Sequence, residues 1–313
     1  MKQFTRFIKK TVKSISKINI WIRLFVFLAV LFIVLNYVNY YHPSPEGFTQ
    51  MEKFKLKKND NLYDDFYCSV YDDIVYDARK NNYEVDEISR IFKRANSKSI
   101  VDIGCGNGHH VNLLSKKGFD VSGIDKSSSM VTKAKKKYPK QKFKVGDALE
   151  SVQFEPSSKD AITCLYFTIY YIEDKKRFID NCYNWLKPGG YFVVHLVNRD
   201  KFDPIVNSAD PLHIVSAQKY AKKRITNSLI KFKDFQYKAN FNFDKPNNKA
   251  EFTETFKDDT SGHVRKNVHT LYMDTQKNIL ALAKQRGFIL KGKIDLVRTM
   301  YEYQYIYILY KPN

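Results

Sequence analysis

The sequence predicts an α/β protein built on an open, mostly parallel, doubly wound sheet, and three observations carry that expectation. A β-branched run interrupted by an acid, Ser99-Ile-Val-Asp-Ile103, passes directly into glycines at 104, 106 and 108. A second short run ends on Asp125, about 20 residues on, the interval at which this architecture ends its second strand. From there to residue 194, apolar runs alternate with helical patterns in the order of βαβ units.

Ile100, Val101 and Ile103 are apolar on both faces, as a buried parallel strand requires, and the glycines turn the backbone while leaving room for a ligand. Residues 107–117 read as a helix that Gly118 closes. Strand, glycine turn and helix N-terminus together offer unpaired amides to an anionic group. Asp125 stands where the doubly wound fold places the acid that accepts from a ribose. A nicotinamide site wants G-x-G-x-x-G, whereas this chain has Gly104-x-Gly106-x-Gly108 and His109 where the third dinucleotide glycine belongs.

At these residues the chain resembles the class I S-adenosylmethionine-dependent methyltransferases, whose first motif is an acid followed by G-x-G-x-G. Lys142-Phe-Lys-Val-Gly-Asp147 is similar to the family's third strand and Asp160-Ala-Ile-Thr-Cys-Leu-Tyr-Phe167 to its fourth. Trp185-Leu-Lys-Pro-Gly-Gly-Tyr-Phe-Val-Val194 is similar to the following loop and fifth strand. Motifs in this order weigh more than one glycine loop. The resemblance implies a Rossmann-like seven-stranded methyltransferase fold with S-adenosyl-L-methionine as cofactor. It implies Asp102, Gly104, Gly106 and Gly108 at the methionine part, Asp125 at the ribose and Asp147 at the adenine, with Tyr166 beside the cofactor. A fold of this type that has lost its ligand is the alternative.

At 313 residues and 43% hydrophobic content, the chain suffices for one full-sized α/β domain plus appendages. Its formal charge is +20, part of it in Lys2, Arg6, Lys9, Lys10, Lys13, Lys17 and Arg23, which face no acid. The remainder is spread out, which is more often a solvated surface than a nucleic-acid footprint, so no nucleic-acid partner is expected. Cys68, Cys105, Cys164 and Cys182 lack C-x-x-C spacing and read as reduced thiols, implying neither a disulfide framework nor a metal.

The expected organisation is a basic segment at 1–19, a transmembrane helix at 20–41, a linker at 42–61 and a methyltransferase domain at 62–313. Residues 24–41 carry no charge, and Trp21, Tyr37, Tyr40 and Tyr41 sit where interfacial aromatics belong, so a single-pass membrane protein is expected. A cleaved signal peptide lacks its small-residue site after Leu35, whereas Arg23, Asn36 and Asn39 leave a helix lying in the interface as an alternative. The basic flank before the helix places the domain across the membrane, while the cofactor and the reduced cysteines place it in the cytosol; the two criteria conflict.

Residues 62–95 carry two helical patterns, the first rich in tyrosine and acid. In many members of the resembled family such a helix crosses the cofactor mouth, which makes Tyr67 and Tyr71 lid and substrate-binding candidates; packing on the sheet is the alternative. Ser127 is a plausible N-cap for a lysine-rich helix that Pro139 ends. Residues 198–273 are too long for a simple crossover. Their alternating runs at 232–243, 250–256 and 264–273, separated by turn sequences, predict an inserted antiparallel β-meander. Asp274 is expected to cap a last helix that Gly287 ends, before two alternating strands at 288–297 and 301–310.

Methyl transfer needs positioning, desolvation and, for some acceptors, a base. Tyr166, Thr168, Tyr170 and Tyr171 follow the fourth strand, with Tyr170 and His269 the catalytic candidates; His195, His109 and His110 are further histidines near the expected edge. In an alternating strand Arg265 and His269 share a face opposite Tyr272, so Arg265 is expected to bind the acceptor. The (Asp/Asn)-Pro-Pro-Tyr run of base-amino methyltransferases is missing after the fourth strand, and Cys164 lies within the strand without a neighbouring proline. A small-molecule or membrane-associated lipid or amine acceptor is therefore expected. A protein or RNA methyltransferase, or a silent cofactor-binding module, are the alternatives, and the insertion could instead pack a second subunit.

Overall fold

The computed structural model describes residues 19–41, 52–204, 221 and 223–313. The chain divides into two compact units, residues 1–47 and 48–313. The expected basic segment, most of the expected linker and residues 205–220 of the insertion lie outside the described residues.

In the first unit the described element is one helix, α1 (Ile20–Tyr41). Trp21, Phe25, Phe27 and Phe32 are exposed on it. Among the described residues no helix is long and apolar enough to cross a membrane. The single-pass expectation for 20–41 is thus not supported.

The second unit is organised by a seven-stranded sheet. Its strands are β2 (Ser99–Ile103), β3 (Asp120–Asp125), β4 (Lys142–Val145), β5 (Lys159–Cys164), β6 (Leu186–Val197), β11 (Ile289–Asp295) and β12 (Gln304–Tyr310), in the order β11-β12-β6-β5-β2-β3-β4. β6, β5, β2, β3 and β4 run parallel, and β12 pairs antiparallel with both β6 and β11. This is the α/β Rossmann-like arrangement with its closing hairpin.

Strand alternation accounts for the layers. Ile100 and Val101, successive in β2, point into different cores. Ile100 packs with Val85, Ile88 and Phe92 of α3 (Ala78–Arg94) and with residues of α4 (His109–Lys116) and α5 (Ser128–Lys137). Val101 packs in the core that holds Phe178 and Trp185 of α7 (Lys175–Trp185) and Ile279 of α8 (Gln276–Arg286). Ser127 caps α5 by accepting from Met130 N–H, as expected, whereas α8 is capped by Thr275. Asp274 instead pairs with buried Lys175 at 3.0 Å.

The insertion is broader than a three-stranded meander. β7 (Asn227–Lys231), β8 (Phe235–Asp244), β9 (Lys249–Asp258) and β10 (Val264–Tyr272) pair antiparallel, and β1 (Phe54–Lys58) adds to β10 in parallel. β1 lies inside the stretch expected as linker, so the N-terminal flank of the domain contributes an edge strand. On this sheet lies α2 (Asp65–Val75), whose Tyr67, Val70 and Ile74 pack with Phe235, Tyr237 and Phe256.

Candidate active site

The parallel strands end at one edge, where the following loops, α2, the short helix α6 (Thr168–Tyr171) and the second sheet enclose a cavity of about 640 Å³. That volume suits a small-molecule or cofactor site. Asp102, Gly104, Gly106, Asp125, Asp147 and Tyr166 all line it, as do Tyr67 and Tyr71.

The glycine turn is built by close packing. A Cβ on Gly104, whose φ is +68°, would sit 2.3 Å from Thr168 Cγ2, so the loops after β2 and β5 lock together only without a side chain there. Gly106 is the open one: a Cβ would meet nothing within 4 Å, leaving its backbone bare towards the cavity. Gly108 does not line the cavity. It caps α4 with φ +82° and presses against the Phe143 ring, so its role is packing.

Asp125 Oδ2 accepts from Gly106 N–H and Oδ1 from Ser127 N–H, each at 2.9 Å. A carboxylate has about four acceptor positions, so two remain for a diol such as a ribose. Burial raises its pKa against these two bonds. Asp102 is 3% exposed and accepts from Thr163 O–H at 2.6 Å. Burial pushes its carboxyl up to about 6, despite the opposing pull of His110 and that hydrogen bond. Asp147 accepts from Leu149 N–H at 2.9 Å and lies 3.4 Å from the Lys126 ammonium. Tyr166, at φ +54°, stacks its ring near His195 and under the Lys80 ammonium. These groups fit S-adenosylmethionine: paired acids where its diol and amino groups need acceptors, and bare backbone between them.

Several expected residues do other work. Tyr170 is fully buried and does not line the cavity; its oxygen accepts from Val197 N–H at 2.8 Å, so it braces β6. Arg265 also lies off the cavity, donating to Asp64 Oδ2 at 2.9 Å, Leu62 O at 3.1 Å and Asn267 Oδ1 at 2.9 Å. It pins the start of α2 to β10. Arg265 and His269 do share one buried face of β10, and neither lines the cavity, whereas Tyr272, expected on the opposite face, does. His109 bonds Asp72 at 2.9 Å and Tyr138 at 2.9 Å, fastening α2 to the glycine turn. His195 is fully buried, and burial with the Lys80 charge lowers its pKa to about 4, leaving it neutral. His110 lies 2.9 Å from Glu84. The four cysteines are free and buried.

Three ionisable groups were missed. Lys80 lines the cavity, 2% exposed, and pairs at 2.8 Å with Glu84, itself fully buried. Burial opposes ionisation of Glu84, but Lys80 and His110 outweigh it and hold the carboxyl at about 2. The signal was present: residues 80, 84, 88 and 92 form one helical stripe, with charges in line with Ile88 and Phe92. The third is Glu254, 1% exposed on β9 at the parity of Ala250, Phe252 and Phe256, and part of the cavity wall.

Fold and cavity thus define an α/β domain with a ligand-sized site at the edge of its parallel strands. A family model described as "Methyltransferase domain" matches residues 101–194. The ubiquinone biosynthesis O-methyltransferase of Coxiella burnetii is 30% identical over 106 residues, 33% of this chain and 45% of that protein. The dTDP-4-amino-2,3,4,6-tetradeoxy-D-glucose N,N-dimethyltransferase of Saccharopolyspora spinosa is 26% identical over 206 residues, 62% of this chain and 79% of that one. Among solved structures, the S-adenosylmethionine-bound amino pentose methyltransferase CalS10 of Micromonospora echinaspora superposes with a TM-score of 0.54 at 16% identity, covering 80% of this chain and 99% of that one. The alignment with the Coxiella protein spans less than half that protein's length. Residues 101–194 thus match a methyltransferase-domain family, and the fold is shared with S-adenosylmethionine-dependent methyltransferases of solved structure.

Proposed function

We propose that this protein methylates a small-molecule acceptor held between the cofactor edge of the seven-stranded sheet and the inner face of the second sheet. One observation carries the reading: a single cavity is walled on one side by Asp102, Asp125 and Asp147 and on the other by Phe241, Phe252, Glu254 and Leu271. When bound, the cofactor supplies a methyl group on an electrophilic sulfonium. Asp102 would hold its amino group, Asp125 its ribose and Asp147 its adenine. Tyr67 and Tyr71, on a helix tied down by the Asp72–His109 and Arg265–Asp64 contacts, exclude water from that space.

A cavity enclosed by a helix and a sheet favours a small acceptor over a protein or RNA strand. The relatives' names point the same way, one to an oxygen and one to a sugar nitrogen. We read α1 as a membrane-associating element on the strength of its exposed Trp21, Phe25, Phe27 and Phe32. One experiment addresses both readings. The full chain, mixed with anionic lipid vesicles, methyl-labelled cofactor and a metabolite extract, should float with the vesicles and move label into the small-molecule fraction. Label confined to protein or RNA would overturn the acceptor reading, and a chain left in the soluble fraction would remove the membrane one.

A further inference from the structure

The second sheet brings a carboxylate, an imidazole and a hydroxyl into line at the acceptor side of the cavity. Tyr171 of α6 lines the cavity and is 36% accessible. Its hydroxyl is 2.8 Å from His269 Nδ1, and His269 Nε2 is 2.7 Å from Glu254 Oε2. His269 and Glu254 are each 1% exposed. The second carboxylate oxygen, Glu254 Oε1, accepts from Tyr237 O–H at 2.7 Å. The Tyr63 ring packs edge-on against Tyr171, with centroids 6.0 Å apart.

This order fixes proton positions. The Glu254 carboxyl lies between two hydrogen-bonding partners, His269 Nε2 and the Tyr237 hydroxyl, and as a carboxylate it only accepts. The Glu254 carboxylate at Nε2 places the ring proton there, which turns the Nδ1 lone pair to the Tyr171 O–H. The groups facing His269 are Tyr171 from α6, Tyr63 and Tyr67 from the α2 side, and Phe252 and Glu254 from β9. The buried cation on its own strand, Arg265, is engaged by Asp64. A carboxylate fully buried among Phe252 and Phe256 costs stability that an apolar residue would not, which suits a functional role.

We propose that Tyr171, His269 and Glu254 form a proton relay that takes the proton leaving the methyl acceptor, whose class is therefore an O–H or N–H nucleophile. The acceptor's lone pair forms the new bond to the methyl carbon as the carbon–sulfur bond breaks with its electrons going to sulfur. The acceptor proton passes to the Tyr171 oxygen, and the phenolic proton passes to His269 Nδ1, leaving an imidazolium against Glu254. Tyr171 is the proton-accepting group, while His269 and Glu254 act through it. The relay rests on the methyl-transfer reading.

The test separates the two. In the full chain in detergent, with ¹⁵N-labelled histidine assigned by loss of the signal in His269→Gln, the wild-type ring should be neutral with its proton on Nε2. Glu254→Gln should shift that tautomer balance. S-adenosylhomocysteine affinity, measured by calorimetry, should stay within about twofold in Tyr171→Phe. Turnover of two named probes, a catechol and a primary amino sugar, should fall in Tyr171→Phe by about 10²-fold or more in kcat, the usual scale of general-base assistance. The catechol arm reports an oxygen acceptor and the amino-sugar arm a nitrogen one. A proton on Nδ1 in the wild type, or Tyr171→Phe within threefold of wild-type kcat, overturns the relay. If S-adenosylhomocysteine does not bind, the methyl-transfer reading falls instead, and the relay is judged on the tautomer alone.

Discussion

The seven-stranded sheet keeps its site acids at or near strand ends, while the five-stranded sheet carries its ionisable groups in mid-strand. Asp125 closes β3, Asp147 follows β4 and Asp102 stands one residue from the end of β2. Glu254, by contrast, lies in the middle of β9, where it stands opposite Asn267 and accepts from His269 two residues along β10. Strand ends of a parallel sheet share one edge, so acids there meet a common ligand whatever their neighbours. Mid-strand charges need a partner across the sheet, and the partner decides whether they brace the fold or face the cavity. Arg265 and His269, four residues apart on one face, show both outcomes: the first is spent on Asp64 and Leu62, the second leads to Tyr171.

The comparison can be broken at Arg265. Arg265→Ala leaves Asp64 and the Leu62 carbonyl without their guanidinium and should cost roughly 3 kcal/mol of stability, Asp64 being partly solvated. Thermal melting would then drop by several degrees with cofactor affinity unchanged. An unchanged melting point with lost turnover would place Arg265 at the acceptor and dissolve the distinction drawn here.

A smaller effect should sharpen the other half. Asp125→Ala removes the remaining acceptor positions for the diol and should weaken S-adenosylhomocysteine by about 2 kcal/mol, some 30-fold in Kd by calorimetry. NAD should not bind either form. NAD binding to the wild type alone would reverse the cofactor assignment.

The smallest effect is a pH slope. With its carboxyl pushed up to about 6, Asp102 is ionised at pH 7 and largely protonated at pH 5. If it holds the cofactor's amino group, S-adenosylhomocysteine should bind up to about tenfold more weakly at pH 5 than at pH 7. Stability of the unliganded protein runs the other way. Because the folded value lies above the unfolded 3.8, the native state holds the extra proton between 3.8 and about 6, and this group's contribution is lost as pH rises through that window. Asp102→Asn should flatten both slopes; slopes that persist would assign them to another group.

The first unit bears on how far pattern alone reaches. A 22-residue helix forms where the apolar run predicts one, yet among the described residues none is long and apolar enough to cross a membrane. Helix formation follows from local propensity, whereas membrane crossing depends on what surrounds the side chains.

The order of strands and helices in the seven-stranded sheet, the glycine turn and the acids at its strand ends were legible from the sequence alone. Each is a local feature: a β-branched run, a backbone needing positive φ at Gly104, a carboxylate at a strand end. Tertiary structure alone decided that β1 leaves the expected linker to pair with β10, and that Tyr170 braces Val197 while its neighbour Tyr171 faces the cavity. It also decided that Glu254, read from sequence as one polar residue in an alternating strand, is buried against His269. Those outcomes depend on register between strands far apart in the chain and on which face of one helical turn meets the cavity. Neither is written in the periodicity of a single segment, because alternation fixes which residues share a face but not what that face meets.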